Sequence, residues 1–263
     1  MPELDPFTAR ATLEWLVEMG CDEAIGERPV NRYALPDRQP VPEPPAPPPE
    51  VDMPVTADAA PATDAVTEAD RRAAVAASLA ELHDAILGYP YCDLRLGAAS
   101  TVFAAGDPAA RVMIIGDAPG REEDRAGHPF AGASGALLDR MLAAIGLARD
   151  GEGTAGVYLA SVLPWRLPSD RAPEPDEMAM MLPFLRRHVE LAAPEILVLM
   201  GNQPCGAVLG RRGLTRLRGT WTEGFGLPAL PMLPPAYLMR NPGAKREAWA
   251  DLLELAARLD PEP

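Results

Sequence analysis

The sequence predicts an α/β domain built on a central four-stranded parallel sheet with helices on both faces. Three observations carry that expectation. Four short apolar runs, at 112–115, 157–163, 196–200 and 227–233, have the length and composition of buried strands. Stretches of helical periodicity separate them, and strand–helix alternation favours a parallel sheet. A glycine-rich, charged loop at 116–135 joins the first run to an amphipathic helix, which is how a site is built above the carboxyl end of such a sheet.

Residues 8–27 read as a helix whose apolar side is Ala11, Leu13, Trp15, Leu16 and Met19, ended by Gly20 or Gly26. A helix of that length does not stand alone, so it docks either on the main domain or on a protein partner. Ten prolines fall between Pro36 and Pro61, including PEPPAPPPE, with no apolar periodicity. That composition is an extended, semi-rigid linker. The expected organisation is therefore a helical appendage over 1–35, a Pro-rich acidic linker over 36–66 and one domain over 67–263. Thr67-Glu68-Ala69-Asp70 reads as a capped helix start, with Val75, Leu79, Leu82 and Ile86 on one side of a helix reaching about residue 87. After the first strand, Leu137, Leu138, Met141, Leu142 and Ile145 mark a helix at about 134–146. Further helices are expected at 175–192, 203–209 and 244–259. There is no internal repeat.

Composition narrows the function. The chain has 263 residues, 48% of them hydrophobic, enough for a sizeable core. No apolar run approaches the roughly 20 residues of a membrane span. MPELDPFTAR has neither a basic nor an apolar leader segment, so a cytoplasmic protein is expected. Cys21, Cys92 and Cys205 lie far apart with no CxxC pair, against a disulfide framework or a self-contained zinc site. The net charge of −14 looks wrong for a DNA-binding protein. Its distribution matters more: residues 1–70 hold 15 acidic and 4 basic side chains, a net of −11, whereas 71–263 hold 23 and 20, a net of −3. The main domain is near neutral and has room for a local basic face, with modest nonspecific DNA affinity.

The loop and its surroundings carry a recognisable pattern. Gly116-Asp117-Ala118-Pro119-Gly120, Glu123-Asp124, Gly127-His128-Pro129-Phe130-Ala131-Gly132 and Gly135-Ala136-Leu137-Leu138 follow one another, and further blocks continue to about Asp260. This resembles the uracil-DNA glycosylase superfamily, most closely its iron–sulfur branch, family 4. The resemblance implies that fold, with its central four-stranded sheet, and an activity on DNA. Removing a base from deoxyribose needs an extruded base in a pocket, stabilisation of charge on its oxygen, and a positioned water.

On that resemblance Asp117 positions the water, at a place the family usually fills with Glu. Phe130 is the surface a flipped pyrimidine stacks on. Gly116, Ala118, Pro119 and Gly120 shape the base pocket, and His128 is an ordinary loop residue. Ser161 stands where the family has the Asn that reads the uracil edge, and a hydroxyl is shorter and offers less than an amide. The block Pro234-Pro235-Ala236-Tyr237-Leu238-Met239-Arg240-Asn241-Pro242 matches the family's H-P-A-Y-L-L-R-N-P. Pro234 replaces the His that donates to the uracil oxygen, and proline has no donor. Leu238 aligns with the apolar wedge that fills the vacated stack. Arg240 contacts phosphate or braces the loop. The cluster of this branch needs four thiolates. Cys92 falls on one position, and Tyr89, Trp165 and Met181 fall on the others. Apolar packing is expected there, and no metal or cofactor.

The expected function is a DNA-binding protein that hydrolyses the N-glycosidic bond of a flipped uracil or related base in base-excision repair, weakly because three site positions depart from the family. The rival is a non-catalytic paralogue that binds DNA lesions or a protein partner. A nucleotide-binding α/β protein would need a GK[ST] or GxGxxG signature, and neither is present.

Overall fold

The computed structural model describes residues 62–259. The helix expected at 8–27 and the linker up to residue 61 lie outside them. Among the described residues no helix is long and apolar enough to cross a membrane.

Four parallel strands form the centre, as the apolar runs predicted: β2 (Val112–Gly116), β3 (Val157–Ser161), β4 (Ile196–Met200) and β6 (Leu227–Met232). Two short antiparallel strands, β1 (Ala104–Gly106) and β5 (Thr222–Gly224), extend the sheet to six in the order β1-β3-β2-β4-β6-β5. Each edge strand has only three residues, too few for periodicity to register.

Alternation along the strands divides the core into two layers. Met113, Ile115, Tyr158, Ala160, Leu197 and Leu199 face one layer. There they meet α1 (Ala62–Val75), α2 (Leu79–Leu87) and α6 (Pro175–Ala192). Val112, Ile114, Leu159, Val198 and Leu230 face the other, against α5 (Gly132–Ala143) and α10 (Lys245–Leu259). Between these lie α3 (Leu94–Gly97), α4 (Arg121–Ala126), α7 (Asn202–Leu209), α8 (Leu214–Leu217) and α9 (Pro235–Arg240).

The single helix expected from Thr67 to about 87 is two helices, and the first begins at Ala62. Ser78 caps α2 by accepting from Glu81 N at 3.2 Å, and the Glu81 carboxylate accepts from Ala77 N at 2.8 Å. This reciprocal pairing stops one helix and starts the next. Arg187 of α6 holds the break by donating twice to Ala76 O, at 2.9 and 3.0 Å. The apolar side also differs. Val75 is 72% exposed, and α1 packs through the small buried residues Ala65, Ala69 and Ala73. Small side chains let α1 lie close along α6.

The strand order decides where a site can form. β2 has β3 on one side and β4 on the other, both parallel to it. The chain therefore turns one way after β2 and the other way after β3. The crevice outside the carboxyl end of β2 is a topological switch point, where open α/β sheets bind their ligands.

Candidate active site

Three strand ends meet at that crevice. Gly116 is in register with Ser161 on one side and Met200 on the other. All three line a cleft of about 490 Å³. Asp117, Ala118, Pro119, Gly120, Phe130, Pro234 and Arg240 line it too. The fold thus gathers every site residue expected from the sequence except Leu238.

Phe130 is held with unusual firmness. Its backbone is left-handed, at φ 52°, where an L side chain is strained. Arg149 clamps the strained segment, donating from its guanidinium to Pro129 O at 3.0 Å and Phe130 O at 2.8 Å, and to Asp139 Oδ1 at 3.1 Å. Glycines make the approach feasible: a Cβ on Gly135 would sit 1.8 Å from Phe130 O, and one on Gly116 would sit 2.6 Å from the ring's Cζ. The tip of the half-buried ring therefore lies against the end of β2 and the ring borders the cleft. Arg149 carried no sequence signal, because it lies in a loop outside every motif block.

The acidic run after Gly120 turns out to be scaffolding. Glu123 accepts from Gly120 N at 3.0 Å and caps α4. Buried Asp124 accepts from Ala99 N at 2.9 Å and Ser100 N at 3.1 Å, and Ser100 Oγ donates back to Asp124 O. His128 Nδ1 lies 3.2 Å from Pro129 O, its one side-chain hydrogen bond among the described residues.

Asp117 follows β2 directly. Its Oδ1 accepts from Gln203 N at 3.1 Å, at the start of α7, while Oδ2 has no hydrogen-bond partner among the described residues. Burial pushes its pKa up to about 6, and the Gln203 amide pulls in the other direction. Gly201 leaves room for it: at φ 142° a Cβ there would lie 2.1 Å from Asp117 Oδ1. Gln203 returns the contact, its Oε1 accepting from Ala118 N at 2.8 Å. Sequence reading missed Gln203, which no motif singled out. A second cavity of about 800 Å³ opens beyond Asp117 and Gln203, walled by Met178, Leu182, Arg212 and Thr215.

The last loop departs from expectation at one residue. Pro234 precedes α9 as its cap residue with extended backbone, φ −72° and ψ 148°, and lines the cleft without a donor. Leu238 is 1% exposed, so the wedge role expected for it is corrected. It faces inward because the helical repeat of α9 turns Pro235 and Leu238 to the core and leaves Met239, 47% exposed, outside. Arg240 is exposed, borders both cavities and makes no ion pair among the described residues.

The cluster positions of the family do not fit an iron–sulfur group. Tyr89, Cys92, Trp165 and Met181 are all buried. Tyr89 donates to Ala65 O at 2.7 Å and Trp165 to Thr101 Oγ1 at 2.9 Å, so both are committed to packing. Only Cys92 offers sulfur of the ligating kind, and burial pushes its thiol up to about 11.

Comparison with known proteins agrees with this geometry. The family model for the uracil DNA glycosylase superfamily matches residues 103–253. The type-4 uracil-DNA glycosylase of Archaeoglobus fulgidus is 38% identical over 68% of this chain and 92% of its own. That of Sulfurisphaera tokodaii is 31% identical over 68% of this chain and 85% of its own. The type-4 enzyme of Thermotoga maritima is 32% identical over 57% and 77%.

Proposed function

Because this chain belongs to the uracil-DNA glycosylase superfamily, we propose that it binds DNA, takes an extruded uracil or related base into the cleft and hydrolyses its N-glycosidic bond, slowly. The observation that carries this reading is the strained, doubly clamped Phe130 at the switch point. Strain of that kind is kept where a surface must be presented in one position, and a planar ring beside a narrow cleft suits a pyrimidine.

The remaining groups have the roles their geometry permits. The free Oδ2 of ionised Asp117 orients a water toward C1′ of the deoxyribose and takes up its proton. The C1′–N1 bond breaks and its electron pair leaves with the base, so charge gathers on the base carbonyl oxygens. Ser161 meets the base edge with one hydroxyl, and Pro234 supplies no donor, which is why the reaction is slow. Unpaired Arg240 at the mouth suits phosphate contact. Met239, exposed on the same helix, takes the place of Leu238 as the apolar side chain available to the DNA stack.

The test is incubation of the full chain with single- and double-stranded oligonucleotides holding one uracil, followed by alkali. Scission that is lost in Asp117→Asn and Phe130→Ala is the expected result. Retarded mobility without scission selects the non-catalytic lesion-binding reading, which the missing donor at Pro234 favours.

To the same proposal belong a cytoplasmic location, an appendage over 1–35 joined by a linker that runs from residue 36 to the start of α1 at Ala62, and a protein partner for the amphipathic face expected over 8–27. A synthetic peptide of residues 1–35 that binds the isolated domain in titration calorimetry would argue for docking on the domain instead.

A further inference from the structure

We infer that Gln203 reads the base: its side-chain amide donates a hydrogen bond to a carbonyl oxygen of the pyrimidine held in the cleft. Gln203 has this role only if the site takes up a base, as proposed above.

The orientation of the amide follows from its partner. Ala118 N is a donor, so the atom facing it at 2.8 Å is the carbonyl oxygen of Gln203, and the NH₂ group points the other way. That nitrogen has no hydrogen-bond partner among the described residues. Among the described residues no buried side-chain nitrogen or oxygen is left without one, so it opens on solvent-accessible space. Gln203 stands between the two cavities, lining the cleft together with Phe130, Ser161 and Pro234 and also the larger cavity beyond it.

Among the residues lining the cleft Gln203 is the one side-chain amide; Ser134 and Tyr237 offer a hydroxyl each, Arg171 is paired with Glu177, and Arg240 is exposed. Pro234 has no donor, and Ser161 offers a single hydroxyl. A flipped base with carbonyl oxygens therefore meets one preorganised side-chain amide, and it comes from the start of α7. The side chain is held at two points, Oε1 by Ala118 N and the backbone N by Asp117 Oδ1 at 3.1 Å. Base readout and water positioning are thus built on one rigid contact between the loop after β2 and the start of α7. An amide held in place loses little freedom on binding, and a donor aimed at a developing charge contributes most in the transition state.

The test measures binding of the full chain by fluorescence anisotropy, so that slow chemistry does not enter. One oligonucleotide carries a 2′-fluoro-2′-deoxyuridine, whose electron-withdrawing fluorine resists glycosidic cleavage, and a second carries a tetrahydrofuran abasic analogue. Wild type is expected to bind the uracil oligonucleotide about tenfold more tightly than the abasic one, the worth of one good hydrogen bond together with stacking. Gln203→Leu should lose the hydrogen-bond share of that preference, about threefold to tenfold, on uracil alone. Gln203→Glu keeps an acceptor for Ala118 N but turns an acceptor toward the base, and should bind uracil no better than the abasic analogue. Uracil preference that survives in both variants overturns the assignment. Equal loss on both oligonucleotides in both variants also overturns it, because a displaced loop would do that. A wild type with no preference for the base sinks the base-uptake reading itself.

Discussion

Asp117 holds two demands in one carboxylate. Oδ1 caps the start of α7 through Gln203 N, and Oδ2 is left for water. Burial raises its pKa to about 6, above its unfolded value of 3.8. With the folded pKa raised, the stability this group contributes is present below pH 3.8 and is lost as pH rises through about 6. Activity runs the opposite way, because only the ionised form accepts a proton. Single-turnover excision should fall about tenfold per pH unit below pH 6 and level off above it. Asp117→Asn should abolish that profile and raise the melting temperature at pH 7.5, by a free energy on the order of 1 kcal/mol. A second prediction concerns Ser161 and Pro234. Extended backbone at ψ 148° before Pro235 accommodates His as readily as proline. Ser161→Asn with Pro234→His should raise excision on the order of 10²-fold, and by more than the product of the singles, because readout and charge stabilisation act as a unit. Phe130→Ala in that background should remove the gain. No gain in a folded, DNA-binding double variant would count against a latent glycosylase site.

Elements are placed here by a few interactions that join one segment to another. The loop after β2 depends on Arg149, whose guanidinium holds the carbonyls of Pro129 and Phe130. Arg149→Leu leaves both carbonyls without that donor, so it should destabilise the fold by about 1–3 kcal/mol in chemical denaturation and lower excision further than that loss explains. The α1–α2 junction depends on Ser78 and Glu81. Ser78→Ala should cost about 1 kcal/mol and leave DNA binding unchanged, since the junction lies outside the cleft. A serine followed three residues later by glutamate marks that junction, but the apolar spacing of Val75, Leu79, Leu82 and Ile86 runs straight across it. The buried side of α1 was not legible at all. Alanines at 65, 69 and 73 look neutral in a sequence, and only the approach of α6 turns them into an interface.

At the scale of the whole molecule, packing occupies the place where the family's cluster would be. Tyr89, Trp165 and Met181 are among the largest fully buried side chains, and they tie α1 and the segment after β3 into one core. Purified protein should be colourless and iron-free by elemental analysis after anaerobic isolation, and stoichiometric iron would overturn that. Removal of residues 1–61 should leave thermal stability unchanged, because α1 begins at Ala62. Removal of 1–66 should be destabilising, since it takes away buried Ala65, whose carbonyl accepts from Tyr89. The chain lacking residues 1–61 should also bind DNA more tightly at low salt, because those residues hold 12 acidic and 4 basic side chains, a net of −8 that competes with phosphate. By itself the sequence determined the four parallel strands, the loop that carries Asp117 and Phe130, and the family, because strand burial and loop motifs are written in contiguous residues. The tertiary structure alone decided that Gln203 and Arg149 serve the site, that Leu238 does not reach it, and that Asp117 is half committed to a helix start. These depend on which distant segments meet at the switch point, and contacts across some 20 to 90 positions leave no local pattern in the chain.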